Sequence, residues 1–346
     1  MSAHARPLQL DAALAVADLA QARALAQQLE AEGFDGLYTF DGRSDPFLPL
    51  ALAAQDTRRV TLITAIAVAF ARNPMLVAQT ANDLQRLSQG RFILGLGSQI
   101  KAHIEKRYSM PWSAPAARMR EFVLAVKAIW HSWATGETLA FRGEFYTHTL
   151  MNPLFNPGPN PHGNPPILVA GVGPTMIETA GEVADGLLIH PFHSAGFLDA
   201  HVFPALARGA ARTGRDPAAL QTSCQIIVAA GRNGEEVAKA AAEARAQIAM
   251  YASTPAYVPV LEQLGQAGLQ AELNTLTKQG RWNDLGTLID DDLLHAVAIV
   301  DSPNAAAAEV LRRYAGKVDR ISPLGYIRDA EIAAAVGKAL RLRMGR

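Results

Sequence analysis

The chain has 346 residues, 49% hydrophobic and 18% charged, a balance that excludes disorder along its whole length. Its 32 basic and 32 acidic side chains cancel, so no net field favours nucleic acid or an anionic membrane surface. The single cysteine, Cys224, excludes an internal disulfide and a cysteine-rich zinc site.

Leu8–Val16 reads as a strand. Asp18 is placed to cap a helix with Leu19, Ala22, Leu25, Ala26 and Leu29 on one face, stopped at Gly33. Asp35–Phe40 is a second strand, and Pro46–Ala54 is helical. Val60–Ala69, β-branched and almost wholly apolar, is a third strand, followed by a helix over Met75–Leu87 and a fourth strand, Phe92–Gly97. Glu121–Trp133 is a helix and Ile167–Ala170 a fifth strand. A helix runs from Pro174 to Ala184 before the sixth strand, Gly186–His190. Thr222–Ala229 is a seventh strand, Asp319–Tyr326 an eighth, and a closing helix spans Asp329 to about Leu342. His295–Val300 reads as an accessory strand. Apolar strands joined by amphipathic helices predict a parallel sheet covered on its outer face. Eight of them fit an α/β (β/α)₈ barrel, with a doubly wound open sheet as the competing architecture. The long connections at 98–165 and 231–303 are expected to be lids or binding loops. No apolar run approaches the roughly 18 residues of a membrane span. Met1–Arg6 lacks the apolar stretch of a secretory signal. A soluble cytoplasmic protein is expected.

The strongest local signal is Pro165–Pro174, where an apolar strand runs into Gly171-Val172-Gly173 and then Pro174 at the first turn of a helix. Such glycines let backbone N–H groups approach an anion at a helix N-terminus. They equally suit a tight turn needing positive φ. The dinucleotide pattern GxGxxG is not met, because Met176 and Ile177 follow instead of a third glycine. Gly95 and Gly97, next to Ser98 and Gln99, either clear room for a flat ligand or mark a bend. Asp41 at the end of strand two can orient a ligand, act as a base, or cap the next turn. The nine histidines form no ligand set, HExxH and GxSxG are missing, and no metal site is expected. Phe141, Phe145, Tyr146, Trp112 and Trp282 in the long connections either line a pocket or form satellite core.

Six stretches in this order resemble the luciferase-like monooxygenase superfamily, in particular its coenzyme F420-dependent branch. They are 32–41, 72–79, 87–97, 166–174, 180–186 and 318–325. The resemblance covers nearly the whole chain and is weakest over 98–160 and 230–300. It implies one (β/α)₈ barrel of the bacterial-luciferase type over 1–346, with long insertions after strands four and seven. It also implies a homodimer holding a deazaflavin (or FMN) at the C-terminal mouth. By the same resemblance, a non-proline cis bond at Ala65–Ile66 backs the ring, and Gly171, Val172, Gly173 and Pro174 hold the phosphate. Asp41 lies near the ring, although the family's frequent Asp-His pair is Asp41-Gly42 here. The neighbourhood of Gly97, Ser98, Gln99 and Ile100 lacks the glutamate of the sugar-phosphate dehydrogenases, so a glucose-6-phosphate-type reaction is not expected. His190, His193, His103 and Asp41 are the candidate proton carriers, with His190 also at the cofactor. A deazaflavin has carbon in place of the flavin's reactive nitrogen, so it moves hydride and reacts poorly with oxygen. The implied function is hydride transfer between deazaflavin and a small organic substrate. The alternatives are an FMN-dependent monooxygenase using O₂ and a flavin-binding barrel without catalysis.

Overall fold

The computed structural model describes residues 6–346. Eight parallel strands form the barrel: β1 (Gln9–Ala13), β2 (Gly36–Thr39), β3 (Thr61–Thr64), β4 (Phe92–Gly97), β5 (Ile167–Gly171), β6 (Gly186–Ile189), β7 (Gln221–Gln225) and β8 (Arg320–Ser322). Each pairs with its neighbours in order, and β8 returns to β1, so no edge remains. The open doubly wound sheet is excluded by that closure.

Alternation along the strands divides two cores. Leu10, Leu37, Leu62, Leu94, Val169, Leu187 and Ile321 face the surrounding helices. Tyr38, Ile63, Ile93, Leu168 and Leu188 pack inside the barrel. On the side built by β7, β8 and β1 the interior turns polar, with Ser223, Arg320, Ser322 and Asp11 all buried. Arg320 grips Asp11 through both carboxylate oxygens, its Nε donating to Oδ2 at 2.8 Å. The pair lies against Gly36, where any side chain would collide with it. Three aspartates just before strands tie adjacent strands together at the bottom of the barrel. Asp35 accepts the Leu10 N–H (2.7 Å), Asp185 that of Ile167 (2.9 Å), and Asp319 that of Thr222 (2.7 Å).

Several elements differ from the sequence reading. The third strand is split: after Thr64 comes a cis peptide at Ala65–Ile66, and Ala67–Val68 then pairs with Leu96–Gly97. The seventh breaks at Ile226, and Ile227–Ala230 leaves the barrel to pair in parallel with Ala298–Asp301. The accessory strand therefore begins at Ala298, because Asp290 accepts the Leu293 N–H (2.8 Å) and starts a helix over Asp291–Val297. The eighth stops at Ser322 and the chain turns. Within the first insertion the helix begins at Pro115, not Glu121, and runs to Thr135. It buries Phe122, Val126, Ile129 and Trp133 against the barrel, and Gly136 at φ 77° ends it. The second insertion is helical, opened by Gly234–Ala252 with Asn233 as its cap (3.0 Å to the Glu236 N–H). No helix among the described residues is long and apolar enough to cross a membrane.

Arg320→Met should destabilise the fold by about 3–5 kcal/mol, since it leaves the Asp11 carboxylate buried without its partner. Urea unfolding checks this; a loss within the range of an exposed substitution would show that the pair is dispensable.

Candidate active site

A cavity of about 790 Å³ opens at the C-terminal ends of the strands. Its floor is half apolar (Ile63, Leu188, Tyr38) and half polar (Asp11, Ser223, Gln225, Ser322). The turns after β2 to β6 form its rim, carrying Asp41, Ile66, Ser98, Gly173 and His190. The first insertion adds Trp112 and Pro115, and the second adds Tyr251 and Thr254–Tyr257. Of the aromatic residues expected as candidates, only Trp112 reaches it. Tyr146 accepts a hydrogen bond from Arg118 (2.9 Å) and packs on Phe122, while Trp282 is exposed on the surface.

The wall behind β3 is built by Asp41. Its backbone N–H donates to the Ile66 carbonyl (2.9 Å), and its Oδ2 accepts the Val68 N–H (2.6 Å). Arg72 closes on the same carboxylate, with Nη2 3.0 Å from Oδ1 and 2.9 Å from Asp45. The Ala65 N–H donates to the Thr39 carbonyl (2.6 Å). The carboxylate is thus committed to the bulge that carries the cis bond. The glycines of β4 serve that bulge too. A side chain at Gly95 would run into the Thr64 carbonyl, and one at Gly97 would meet the Ile66 side chain. Ser98 and Gln99 reach the cavity, Gln99 at φ 60°.

In the turn after β5 the two glycines differ. A Cβ at Gly171 would press on Ile177 at 3.2 Å, whereas a Cβ at Gly173 would meet open space. Gly173 has φ −78°, so the turn there needs no left-handed residue. Gly173 precedes a helix, Pro174–Val183, that no side chain caps. Its first-turn N–H groups and helix dipole are therefore available to an anion at the cavity rim.

The three histidines separate. His190 lines the cavity, stacked on Tyr257 (4.7 Å, 30°) and edge-on to Tyr251 (4.6 Å, 80°). Burial pushes its pKa down to about 3. His193 is fully buried behind the wall, with Nδ1 2.7 Å from the His190 carbonyl and Nε2 3.1 Å from Tyr314 Oη. Burial lowers it to about 4. His103 is exposed on a short helix, Lys101–Lys106, outside the cavity lining. The structure therefore brings His190 and Asp41 to the cavity and leaves His193 and His103 outside it. What the sequence reading missed is a tyrosine wall of Tyr38, Tyr251, Tyr257 and Tyr326, with Tyr251 and Tyr326 sharing a 2.9 Å hydroxyl contact. Burial raises all four phenols above their ordinary range. Tyr38 was marked by its inward position on β2. Tyr251 and Tyr257 had no local mark, because folding of the insertion brings them in. Among the described residues no three His, Cys, Asp or Glu side chains group to hold a metal ion.

Comparisons with known proteins place this site in context. The family model described as luciferase-like monooxygenase matches residues 2–320. An uncharacterized protein of Mycobacterium tuberculosis is 52% identical over 320 residues, 92% of this chain and 94% of the relative. A putative coenzyme F420-dependent oxidoreductase of the same species is 28% identical over 293 residues, 80% of this chain and 82% of the relative. The structure of coenzyme F420-dependent tetrahydromethanopterin reductase from Methanopyrus kandleri superposes with a TM-score of 0.78 at 20% identity, covering 98% of this chain and 99% of that one.

The buried imidazoles set an acid dependence of stability. Unfolded, both titrate near 6.5; folded, they titrate at about 3 and about 4. The unfolded chain binds more protons in between, so their contribution is complete above pH ~6.5 and is lost as pH falls toward those values. His193→Gln should flatten the decline. Urea midpoints at about pH 7 and about pH 4.5 for both chains measure it; parallel declines would assign it to other groups.

Proposed function

The chain belongs to the luciferase-like monooxygenase family, a family of oxidoreductases, and within it we propose that it transfers hydride between a deazaflavin of the coenzyme F420 type and a small organic substrate. The observation that carries this reading is that the bulge after β3, held by Asp41, and the open, uncapped helix start at Gly173 line one cavity. A flat ring with a phosphate-bearing tail needs a backbone wall at one end and an anion site at the other, and the residues present fit that demand.

Bound there, the deazaflavin would supply the hydride chemistry. The chain's own residues do the rest. Asp41 and Arg72 keep the bulge in place behind the ring. Gly171, Val172, Gly173 and Pro174 present the helix start to the phosphate. Ser98, Gln99 and Gln225 would offer polar groups to the ring, and the tyrosine wall lines the remaining space, which is open to a substrate. The preference for deazaflavin over FMN rests on the family resemblance and on the relatives named above, since both cofactors carry a similar tricyclic ring and a ribityl phosphate. We further read the protein as a cytoplasmic homodimer. Its lone thiol is buried, and Leu48 and Leu76, exposed on neighbouring helices, offer apolar area to a second copy.

Titration of tryptophan fluorescence should show tighter binding of the deazaflavin than of FMN, and the reduced complex should consume little oxygen. Tighter FMN binding with rapid oxygen uptake would make the protein a flavin monooxygenase instead. Gly173→Asp should weaken cofactor binding at least tenfold, about 1.4 kcal/mol, by setting a carboxylate against the phosphate. Unchanged affinity in the folded variant would move the phosphate elsewhere.

A further inference from the structure

Within the tyrosine wall, Tyr257 is held unlike its neighbours. The Phe192 backbone N–H donates to His190 Nδ1 (3.1 Å), which places the imidazole proton on Nε2. That proton is donated to the Tyr257 hydroxyl oxygen at 3.0 Å. Stacking on Tyr257 and the edge of Tyr251 fix the imidazole plane. Burial keeps the imidazole neutral and the phenol protonated at neutral pH. The Tyr257 oxygen is therefore an acceptor toward His190, while its own O–H finds no protein acceptor among the described residues and lies on the cavity lining. Asp41 is engaged by Val68 and Arg72 and His193 lies behind the wall, while Tyr251 and Tyr326 share one hydrogen bond; of the four wall tyrosines, Tyr257 is the one whose oxygen accepts from an imidazole.

We propose that Tyr257 is the catalytic acid of this site, acting on the oxygen of a neutral carbonyl substrate, with His190 as its positioning residue. The proposal rests on the deazaflavin reading and adds the proton that hydride transfer alone does not supply. In the direction of reduction the carbonyl carbon takes a hydride, with its two electrons, from the reduced deazaflavin. The C=O π pair moves onto oxygen, and that oxygen takes the Tyr257 proton to give an alcohol. The phenolate left behind keeps the His190 Nε2–H bond until water reprotonates it. In the direction of oxidation the same atoms run in reverse, with the tyrosine oxygen as base. A neutral phenol suits a neutral oxygen better than a carboxylate or phosphate, which would ask for a cation, and the tyrosine wall presents none.

A probe that needs no cofactor tests the donor directly. The full chain is saturated with carbonyl-¹³C cyclohexanone and examined by infrared difference spectroscopy. A bound carbonyl band shifted to lower frequency is expected in the wild type and should be lost in Tyr257→Phe. His190→Leu should weaken the shift, and His190→Gln, which keeps an N–H donor, should restore it. With reduced deazaflavin and the same ketone, Tyr257→Phe should lower kcat by about 100-fold while cofactor affinity stays unchanged. An unshifted band in the wild type, or a band and kcat that survive in Tyr257→Phe, overturns the assignment. A shifted band in a protein that binds no deazaflavin refutes the cofactor reading and leaves Tyr257 as the donor.

Discussion

The carboxylate of Asp41 is the constraint on which the cavity depends. A barrel strand that is interrupted after Thr64 loses its ladder partners there, and the freed backbone groups need substitutes. Asp41 supplies them. It takes the Val68 N–H at 2.6 Å, gives its own N–H to Ile66, and is itself neutralised by Arg72. Arg72 is anchored in turn by Asp45 (2.9 Å). The short side chains of β4 complete the arrangement, because Gly95 and Gly97 yield the space that Thr64 and Ile66 fill. A position that invites reading as a catalytic base is thus the strut of a wall.

The interior above and below that wall is asymmetric. Five strands contribute apolar inner faces, while β7, β8 and β1 contribute Ser223, Ser322, Arg320 and Asp11. A barrel centre filled only with branched apolar residues would be closed. Here the small and polar side chains of one half leave room at the C-terminal end, and the Asp11–Arg320 pair, bonded through both oxygens, stops that room from extending to the bottom. The cavity is also asymmetric at its mouth. Two chemistries stand on adjoining staves there: an uncapped helix start after β5 suited to an anion, and after β6 a neutral imidazole, covered by phenols, suited to an uncharged oxygen.

The second insertion is what makes the tyrosine end. Strand β7 stops at Gln225, and the chain leaves the barrel to build its own two-stranded ladder with Ala298–Asp301 and a helical layer around it. Residues 251–257 at the end of the first long helix are thereby laid over His190. Tyr326, from the turn after β8, meets Tyr251 there. The polar contacts of the site are long-range in sequence, joining residues 67 apart for His190–Tyr257 and 75 apart for Tyr251–Tyr326.

That distance separates what the sequence determined from what folding decided. The eight strands, most of the helices between them and the turn at Gly171–Pro174 were legible, because period, caps and glycines act within a few residues of one another. Asp18 caps its helical turn through a contact two residues away. The split of the third strand was legible only through resemblance, since nothing in Thr64-Ala65-Ile66-Ala67 distinguishes a cis bond from an unbroken apolar strand. The ends of the seventh and eighth strands were not legible, because an apolar run is equally at home in a barrel stave and in the ladder beside it. Nor was the fate of the three histidines and Asp41. Whether a polar side chain faces a cavity, a carbonyl behind the wall or bulk water depends on which residues pack around it, and those neighbours come from elements far along the chain.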